Sequence, residues 1–189
     1  MRTLSTILAL VMFAFPVHAV VVWDEAVNGE LSHAFATPTL LNLVVGSNVL
    51  KGQVGNVDGK ARDYIRFVIP AGHVVTSMNL LVYTPGDIGF AAINDGIHSF
   101  FPSFDTSAFY ISGIHIFGSD VGTDLMDRFV DRSVTADSMG ESELPGPAPY
   151  CIVIQQTAAQ LTTYSFEFIL TGPVAVEAST WGKVKALYR

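Results

Sequence analysis

Apolar and polar residues alternate with a period of two along most of the chain, and this pattern predicts β-strands. In TYSFEFIL, residues 163–170, aromatic side chains occupy every second position at the start of the segment, so they share one face of a strand. DYIRFVIP, residues 63–70, places Ile65, Phe67 and Ile69 on one face in the same way. The strand is expected to end at the proline that follows, because proline cannot donate a hydrogen bond to a neighbouring strand.

Other segments have the same β-branched and aromatic character and lie between turn signals. They are VVVWDEAV, TLLNLVV, NVLKGQV, HVVTSMNLLVYT, FAAIN, AFYISGIHIFG and YCIVIQQT. Gly46-Ser47 predicts a hairpin break between TLLNLVV and NVLKGQV, and Asp95-Gly96 predicts a turn after FAAIN. The total is about eight or nine strands, with the spacing that is typical of an all-β sandwich.

One segment, VGTDLMDRFVDRS, has helical rather than strand periodicity. Leu125, Met126 and Phe129 would form an apolar side, and Thr123 or Asp124 would cap the first turn. The regular helices that parallel βαβ units need are not indicated elsewhere in the pattern. We therefore expect one short helix in an otherwise all-β domain.

The first 19 residues, MRTLSTILALVMFAFPVHA, have the organisation of a secretory signal peptide. Arg2 is followed by an apolar run and then by Val17-His18-Ala19, a small-residue cleavage site. The apolar run is short for a bilayer span, which needs about 20 residues. We expect cleavage after residue 19, a β-sandwich domain over residues 20–172 and a C-terminal tail over 173–189. The protein is therefore predicted to be secreted or to reside in the periplasm or cell envelope.

The charge balance narrows the class of partner. The chain has 10 basic and 17 acidic residues and a net charge of −7. Such a chain is not expected to bind nucleic acid or an anionic membrane surface, because both attract basic proteins. Its single cysteine, Cys151, cannot form an internal disulfide and lies between apolar residues, which indicates a small buried side chain.

The stretch NVDGKARDYIRF contains acidic residues that suit either a turn or a ligand site. Asp58-Gly59 is typical of a turn, and Asp63, just before the strand, would order the loop by accepting backbone N–H bonds. Alternatively, oxygen atoms from this region would surround calcium, which prefers about six to eight oxygen ligands. The candidate calcium ligands are Asp24, Glu25, Asn56, Asp58 and Asp63. The spacing of an EF-hand does not occur, so both interpretations stay open.

A second candidate site is aromatic. IHSFFPSFDTSAFY has the densest cluster of aromatic residues, and exposed loop aromatics can stack on sugar rings or anchor a protein partner. The candidate ligand-binding residues are Phe100, Phe101, Phe104 and Tyr110. The alternative is that these side chains belong to the core. Sequence signatures of catalysis, such as G-x-S-x-G, a Walker loop or HExxH, do not occur.

Several motifs resemble the pre-peptidase C-terminal (PPC-like) domains of exported bacterial proteins, which often carry a PEP-CTERM sorting tail. WDEAVNGELS, TPTLLNLVVGSNVLKGQVGN and DYIRFVIPAGHVVTSMNLLVY follow that pattern, and so does YCIVIQQT. The resemblance covers most of residues 22–170 and implies an antiparallel, jelly-roll-like β-sandwich without catalytic residues. The tail departs from the sorting pattern, because Lys183 and Lys185 interrupt the position of its apolar span.

Together these features lead to an ordered set of expectations about function. The first is an exported, non-catalytic interaction module that meets an extracellular protein or polysaccharide and requires no cofactor. The second is a carbohydrate-binding module, with calcium as a stabilising ion. A secreted hydrolase comes third, because no sequence feature selects a pair of carboxylates for glycoside hydrolysis.

Overall fold

The computed structural model describes residues 18–86, 88–99, 110–131 and 143–173. In chain order, the elements are β1 (Val20–Asp24), α1 (Glu25–Asn28), β2 (Thr39–Leu40), β3 (Gly46–Val54), β4 (Arg62–Ile69), β5 (Val74–Thr84), β6 (Gly89–Asp95), β7 (Tyr110–Ile116), a 3-10 turn (Gly118–Asp120), α2 (Met126–Asp131), β8 (Leu144–Pro145), β9 (Ala148–Gln156) and β10 (Thr162–Thr171).

The strands form two five-stranded sheets that pack face to face. The first sheet has the order β1-β3-β10-β5-β8, and the second has the order β2-β4-β9-β6-β7. Most neighbouring strands are antiparallel, but β1 runs parallel to β3, and β2 runs parallel to β4. The predicted β-sandwich is confirmed, with two parallel pairs at the sheet edges that the strand pattern did not indicate.

The strands from β3 to β10 are wound as a jelly roll. Four antiparallel pairs, β3 with β10, β4 with β9, β5 with β8 and β6 with β7, turn this part of the chain into a long hairpin rolled onto itself. Apart from β6 and β7, successive strands lie in opposite sheets. The arrangement confirms the jelly-roll-like fold and brings β4 and β10 to face each other across the core.

Gly46-Ser47, which was predicted to break a hairpin, instead begins a strand. β2 ends at Leu40 in one sheet and β3 starts at Gly46 in the other, so the residues between them cross the sandwich. Asn48 holds this crossing, because its Nδ2 donates to the carbonyl oxygens of Val44 and Gly46, each at 2.8 Å. The hairpin prediction was wrong because a break between two strands does not reveal whether they share a sheet.

The core lies between the sheets and follows the predicted alternation. Tyr164, Phe166 and Phe168 of β10 are buried, and Phe67 of β4 packs against Phe168 with ring centroids 5.6 Å apart. Such tilted aromatic pairs add to the apolar burial that holds the two sheets together. Cys151 is also buried, as predicted, and burial raises the pKa of its thiol to about 12.

The predicted helix is present in shorter form as α2. Asp124 Oδ1 accepts hydrogen bonds from the backbone N–H groups of Met126 and Met78, each at 2.9 Å, so this carboxylate caps the helix and ties it to β5. The other helix, α1, was not predicted because it has only four residues, too few for a periodic pattern. None of the helices in the described ranges is long and apolar enough to cross a membrane.

Candidate functional site

Asp58 and Gly59 form a turn before β4, as the sequence predicted. Their φ angles are 52° and 82°, a region that glycine adopts freely and that aspartate tolerates better than most residues. The backbone N–H of Gly55 donates to the carbonyl oxygen of Lys60 at 2.8 Å and closes the turn. Asp58 is exposed, so water can hydrate its carboxyl group.

Asp63 has a different environment, because its side chain points between the sheets and is 0% exposed. Its Oδ2 accepts a hydrogen bond of 2.7 Å from the hydroxyl group of Tyr164 on β10. Because β4 and β10 belong to different sheets, this hydrogen bond joins the two layers of the sandwich. We refer to it as the Asp63–Tyr164 bridge.

Gly52 of β3 makes room for the hydroxyl group of Tyr164. The two residues are cross-strand partners. A Cβ atom on Gly52 would lie 2.5 Å from the hydroxyl oxygen and 2.6 Å from the ring carbon that carries it. Glycine is therefore required here by the close approach of a side chain.

His33 approaches Asp63 from the segment that follows α1. Its Nδ1 lies 2.7 Å from the carbonyl oxygen of Arg62 and 3.4 Å from Asp63 Oδ1. A carbonyl oxygen can only accept, so Nδ1 is the donor in the contact with Arg62. Asp63 Oδ1 itself is buried and has no hydrogen-bond partner among the residues that the structure describes.

Burial raises the pKa of Asp63 to about 8, so the carboxyl group holds a proton at neutral pH. The hydrogen bond from Tyr164 and the ammonium group of Lys60 oppose this rise in pKa. The nearby carboxylates of Glu25 and Glu30 reinforce it. Burial, together with the neighbouring Asp63 carboxyl, also raises the pKa of Tyr164 well above its usual range. The chemistry of this interior region is thus a shared hydrogen bond between two groups that hold their protons.

Glu25 fastens α1 and the segment after it to β3. Its Oε1 accepts from the N–H of Leu31 at 2.9 Å, and its Oε2 accepts from the N–H of Gln53 at 2.7 Å. Burial raises the pKa of Glu25, and the two backbone hydrogen bonds oppose that rise. Leu31 is 1% exposed and belongs to the core, so the Glu25 carboxylate holds a core residue in place.

A groove of about 340 Å³ lies beside α1, over the solvent-facing side of β3 and β10. The residues that line it carry both signs of charge: Asp24, Glu25, Ala26, Glu30, Lys51, Gly52, Gln53 and Thr163. Lys51 Nζ lies 3.3 Å from Asp24 Oδ2, and Gln53 Nε2 donates to Thr163 Oγ1 at 3.1 Å. We refer to this feature, defined by those residues, as the α1 groove.

The candidate calcium ligands fall into three environments. Asp24 and Glu25 lie at α1, Asn56 and Asp58 lie in the turn before β4, and Asp63 lies between the sheets. Within residues 18–86, 88–99, 110–131 and 143–173, no three His, Cys, Asp or Glu side chains are grouped so that they could hold a metal ion. Calcium binding stays a prediction, to be tested in solution.

The aromatic candidates fall largely outside the described residues. Phe100, Phe101 and Phe104 lie in the segment 100–109, which is not among them. Tyr110 begins β7, where its backbone pairs with that of Asn94. The expected signal peptide up to residue 17 and the tail from residue 174 onward also lie outside the described part of the chain.

Sequence reasoning missed the partners of Asp63, although one signal was available. The alternation that places Ile65, Phe67 and Ile69 on the inner face of β4 also places Asp63 there, because it has the same parity along the strand. The partner Tyr164 and the neighbour His33 had no local signal. They meet Asp63 only because the jelly roll brings distant segments together.

Comparison with known proteins does not place the chain in a family. No family model, no curated protein and no solved structure matches it. The fold and the chemistry of its two polar regions must therefore support any functional conclusion.

Proposed function

We propose that the chain is an exported, non-catalytic β-sandwich module that binds an extracellular ligand. The observation that carries this proposal is the position of Asp63, whose pKa is raised to about 8 while its side chain is 0% exposed. A catalytic acid must reach the proton that it transfers in the bound substrate. Asp63 instead holds the sheets together through the Asp63–Tyr164 bridge, and structural groups of this kind also have shifted pKa values.

Glu25, a second carboxyl group with a raised pKa among the described residues, supports the same proposal. Both of its oxygens accept backbone N–H bonds, so using it in catalysis would loosen α1 from β3. The α1 groove remains open to solvent, and its volume of about 340 Å³ lies within the range of small-ligand sites. Carboxyl groups that hold the fold together, beside a groove that is open to solvent, favour binding over turnover.

The export part of the proposal rests on the sequence. Residues 1–19 have the charged start, apolar run and small-residue end of a signal peptide. The resemblance of residues 22–170 to PPC-like domains points in the same direction, because such domains accompany exported proteins. A jelly-roll sandwich is compatible with an accessory module of that kind.

The test is to express the full chain in a bacterial host that exports proteins and to analyse the processed product. We expect a mature protein that begins at Val20 and binds one member of a panel of extracellular proteins and polysaccharides saturably, without releasing products. An uncleaved product that stays in the cytoplasm would contradict export. Turnover of an ester or glycoside that a single carboxylate or serine substitution abolishes would contradict the non-catalytic part.

A further inference from the structure

The α1 groove supports an inference that rests on the proposed function and names the class of ligand. We infer that the groove is a binding site for a neutral, polyhydroxylated ligand, such as a segment of a glycan. This places the ligand site on the solvent-facing side of β3 and β10, rather than on the aromatic loop that the sequence suggests.

The walls of the groove are held in place without a ligand. Asp24 Oδ1 accepts from the N–H of Ala26 at 3.1 Å, and the N–H of Asp24 donates to Asn28 Oδ1 at 2.9 Å, so both ends of α1 are fastened. Glu25 then ties the helix to the backbone N–H of Gln53 on the groove floor at 2.7 Å. A site whose groups are already ordered loses less conformational entropy on binding than a mobile one.

The groups in the groove match hydroxyl groups in both roles. A sugar hydroxyl donates one hydrogen bond and accepts others. The carboxylates of Asp24 and Glu30, which pair with Lys51 and Lys60, have further lone pairs that can accept from a ligand. The Lys51 ammonium group and the Gln53 amide each have further N–H donors besides those that meet Asp24 and Thr163, and the Thr163 hydroxyl, which accepts from Gln53, can donate. A ligand that carries many hydroxyl groups can therefore use the whole lining.

The charges of the groove disfavour the other ligand classes. The three carboxyl groups of Asp24, Glu25 and Glu30 outnumber two nearby ammonium groups, that of Lys60, which pairs with Glu30, and that of Lys51 in the lining, so they oppose an anionic ligand. A metal cation would meet the Lys51 ammonium group, and it would compete with the two N–H groups that Glu25 binds. A neutral polyol brings no charge that must be desolvated.

The test is an NMR titration of the ¹⁵N-labelled protein, purified from the exporting host, with neutral hexasaccharides of glucose, xylose and mannose. A galacturonate oligomer of the same length serves as the charged comparison. We expect the amide signals of Gly52, Gln53 and Thr163 to shift saturably with a neutral sugar and to stay unchanged with the galacturonate. Gln53→Ala and Thr163→Val should each raise the dissociation constant by about threefold to tenfold, which corresponds to the loss of one hydrogen bond to the ligand.

Thr171→Val is the matched control, because it removes the same hydroxyl group from the other end of β10, where Thr171 donates to the carbonyl oxygen of Val74 at 3.2 Å. It should leave the affinity unchanged, and the spectra of all variants show whether they are folded. Signal shifts elsewhere on the protein, or an affinity that neither groove substitution changes, would overturn the inference about the groove. The proposed function as a binding module would still stand. The absence of any signal shift at millimolar sugar would also overturn the inference. The proposed function would then be tested with extracellular proteins as partners. Cleavage of a sugar during the titration would instead overturn the non-catalytic proposal.

Discussion

The interior region around Asp63 and the α1 groove lie on opposite sides of β3, and they hold their ionisable groups in different ways. Asp63 is 0% exposed, and its pKa is raised to about 8. In the groove, Asp24 and Lys51 form an ion pair whose side chains are 23% and 48% exposed. Gly52 separates the two regions, because the Tyr164 hydroxyl lies against one side of it and the groove lies on the other.

The difference between the regions is one of solvation. Water stabilises a charged carboxylate. Removal of the water by burial favours the protonated form, which can still form a hydrogen bond. The exposed ion pair of Asp24 and Lys51 contributes only about 0–1 kcal/mol, since water screens it. The interior region therefore contributes to the stability of the sandwich, whereas the charged groups of the groove stay in contact with water.

Asp63→Asn is expected to have the largest effect, which appears in the dependence of stability on pH. The pKa of Asp63 rises from 3.8 to about 8 on folding, so its contribution to stability is complete below pH 3.8 and is lost as pH rises toward 8. The loss is at most about 1.4 kcal/mol for each pH unit in that window. Asparagine does not ionise and still accepts from Tyr164, so the variant should lack this slope in urea unfolding at a series of pH values.

Asp58→Asn is the control for this experiment, because Asp58 is exposed and asparagine also tolerates its positive φ of 52°. In this variant the free energy of unfolding should change with pH as steeply as it does in the unsubstituted protein. Equal slopes for the unsubstituted protein and Asp63→Asn would show that Asp63 is ionised in the folded state and that burial does not hold a proton on its carboxyl group.

Gly52→Ala should destabilise the protein next most strongly, by about 1–3 kcal/mol, which is typical of an overpacked core. The added Cβ atom would lie 2.5 Å from the Tyr164 hydroxyl oxygen, so the side chain must move and the Asp63–Tyr164 bridge must lengthen. Urea unfolding at one pH measures the loss. Gln53→Ala, one residue further along and facing solvent, should change stability by less than about 0.5 kcal/mol. Comparable losses in both variants would argue against the close approach at Gly52.

Tyr164→Phe is expected to cost about 1–2 kcal/mol, because it leaves a buried carboxyl group without its donor. The hydrogen bond from Tyr164 lowers the pKa of Asp63, so its removal should also extend the fall in stability to higher pH. Tyr150→Phe removes a hydroxyl group that donates to the Pro145 carbonyl oxygen at 2.8 Å, and it serves as the control. It should reduce stability without moving the pH window. If the pH range over which stability falls is the same in both variants and in the unsubstituted protein, the Asp63–Tyr164 bridge is contradicted.

Calcium should have the smallest effect. A calcium site needs several convergent oxygen ligands, but the candidate ligands lie in three separate environments and Glu25 already accepts two backbone N–H groups. We therefore expect the same melting temperature in EDTA and in millimolar calcium. A rise with calcium that Asp58→Asn removes would instead support a metal site at the turn before β4, since a ligand bound only to the folded state stabilises it.

The fold was more predictable than the polar regions. Alternation in DYIRFVIP and TYSFEFIL indicated which faces of two strands are buried, and the turn at Asp58-Gly59 followed from the residue types. The alternation could also have placed Asp63 in the core. α1 escaped prediction because four residues are too few for a helical period, and the α1 groove depends on it.

By itself, the sequence determined most of the long strands and the turn before β4, because residue spacing and backbone preferences are local properties. It also determined the alternation that builds the core. Only the tertiary structure decided that Asp63 meets Tyr164, 101 residues away along the chain, and that Glu25 of α1 meets Gln53 of β3. The solvation of a carboxyl group depends on everything packed around it. The same residue type therefore holds a proton between the sheets and meets water in the turn, a difference that no local pattern encodes.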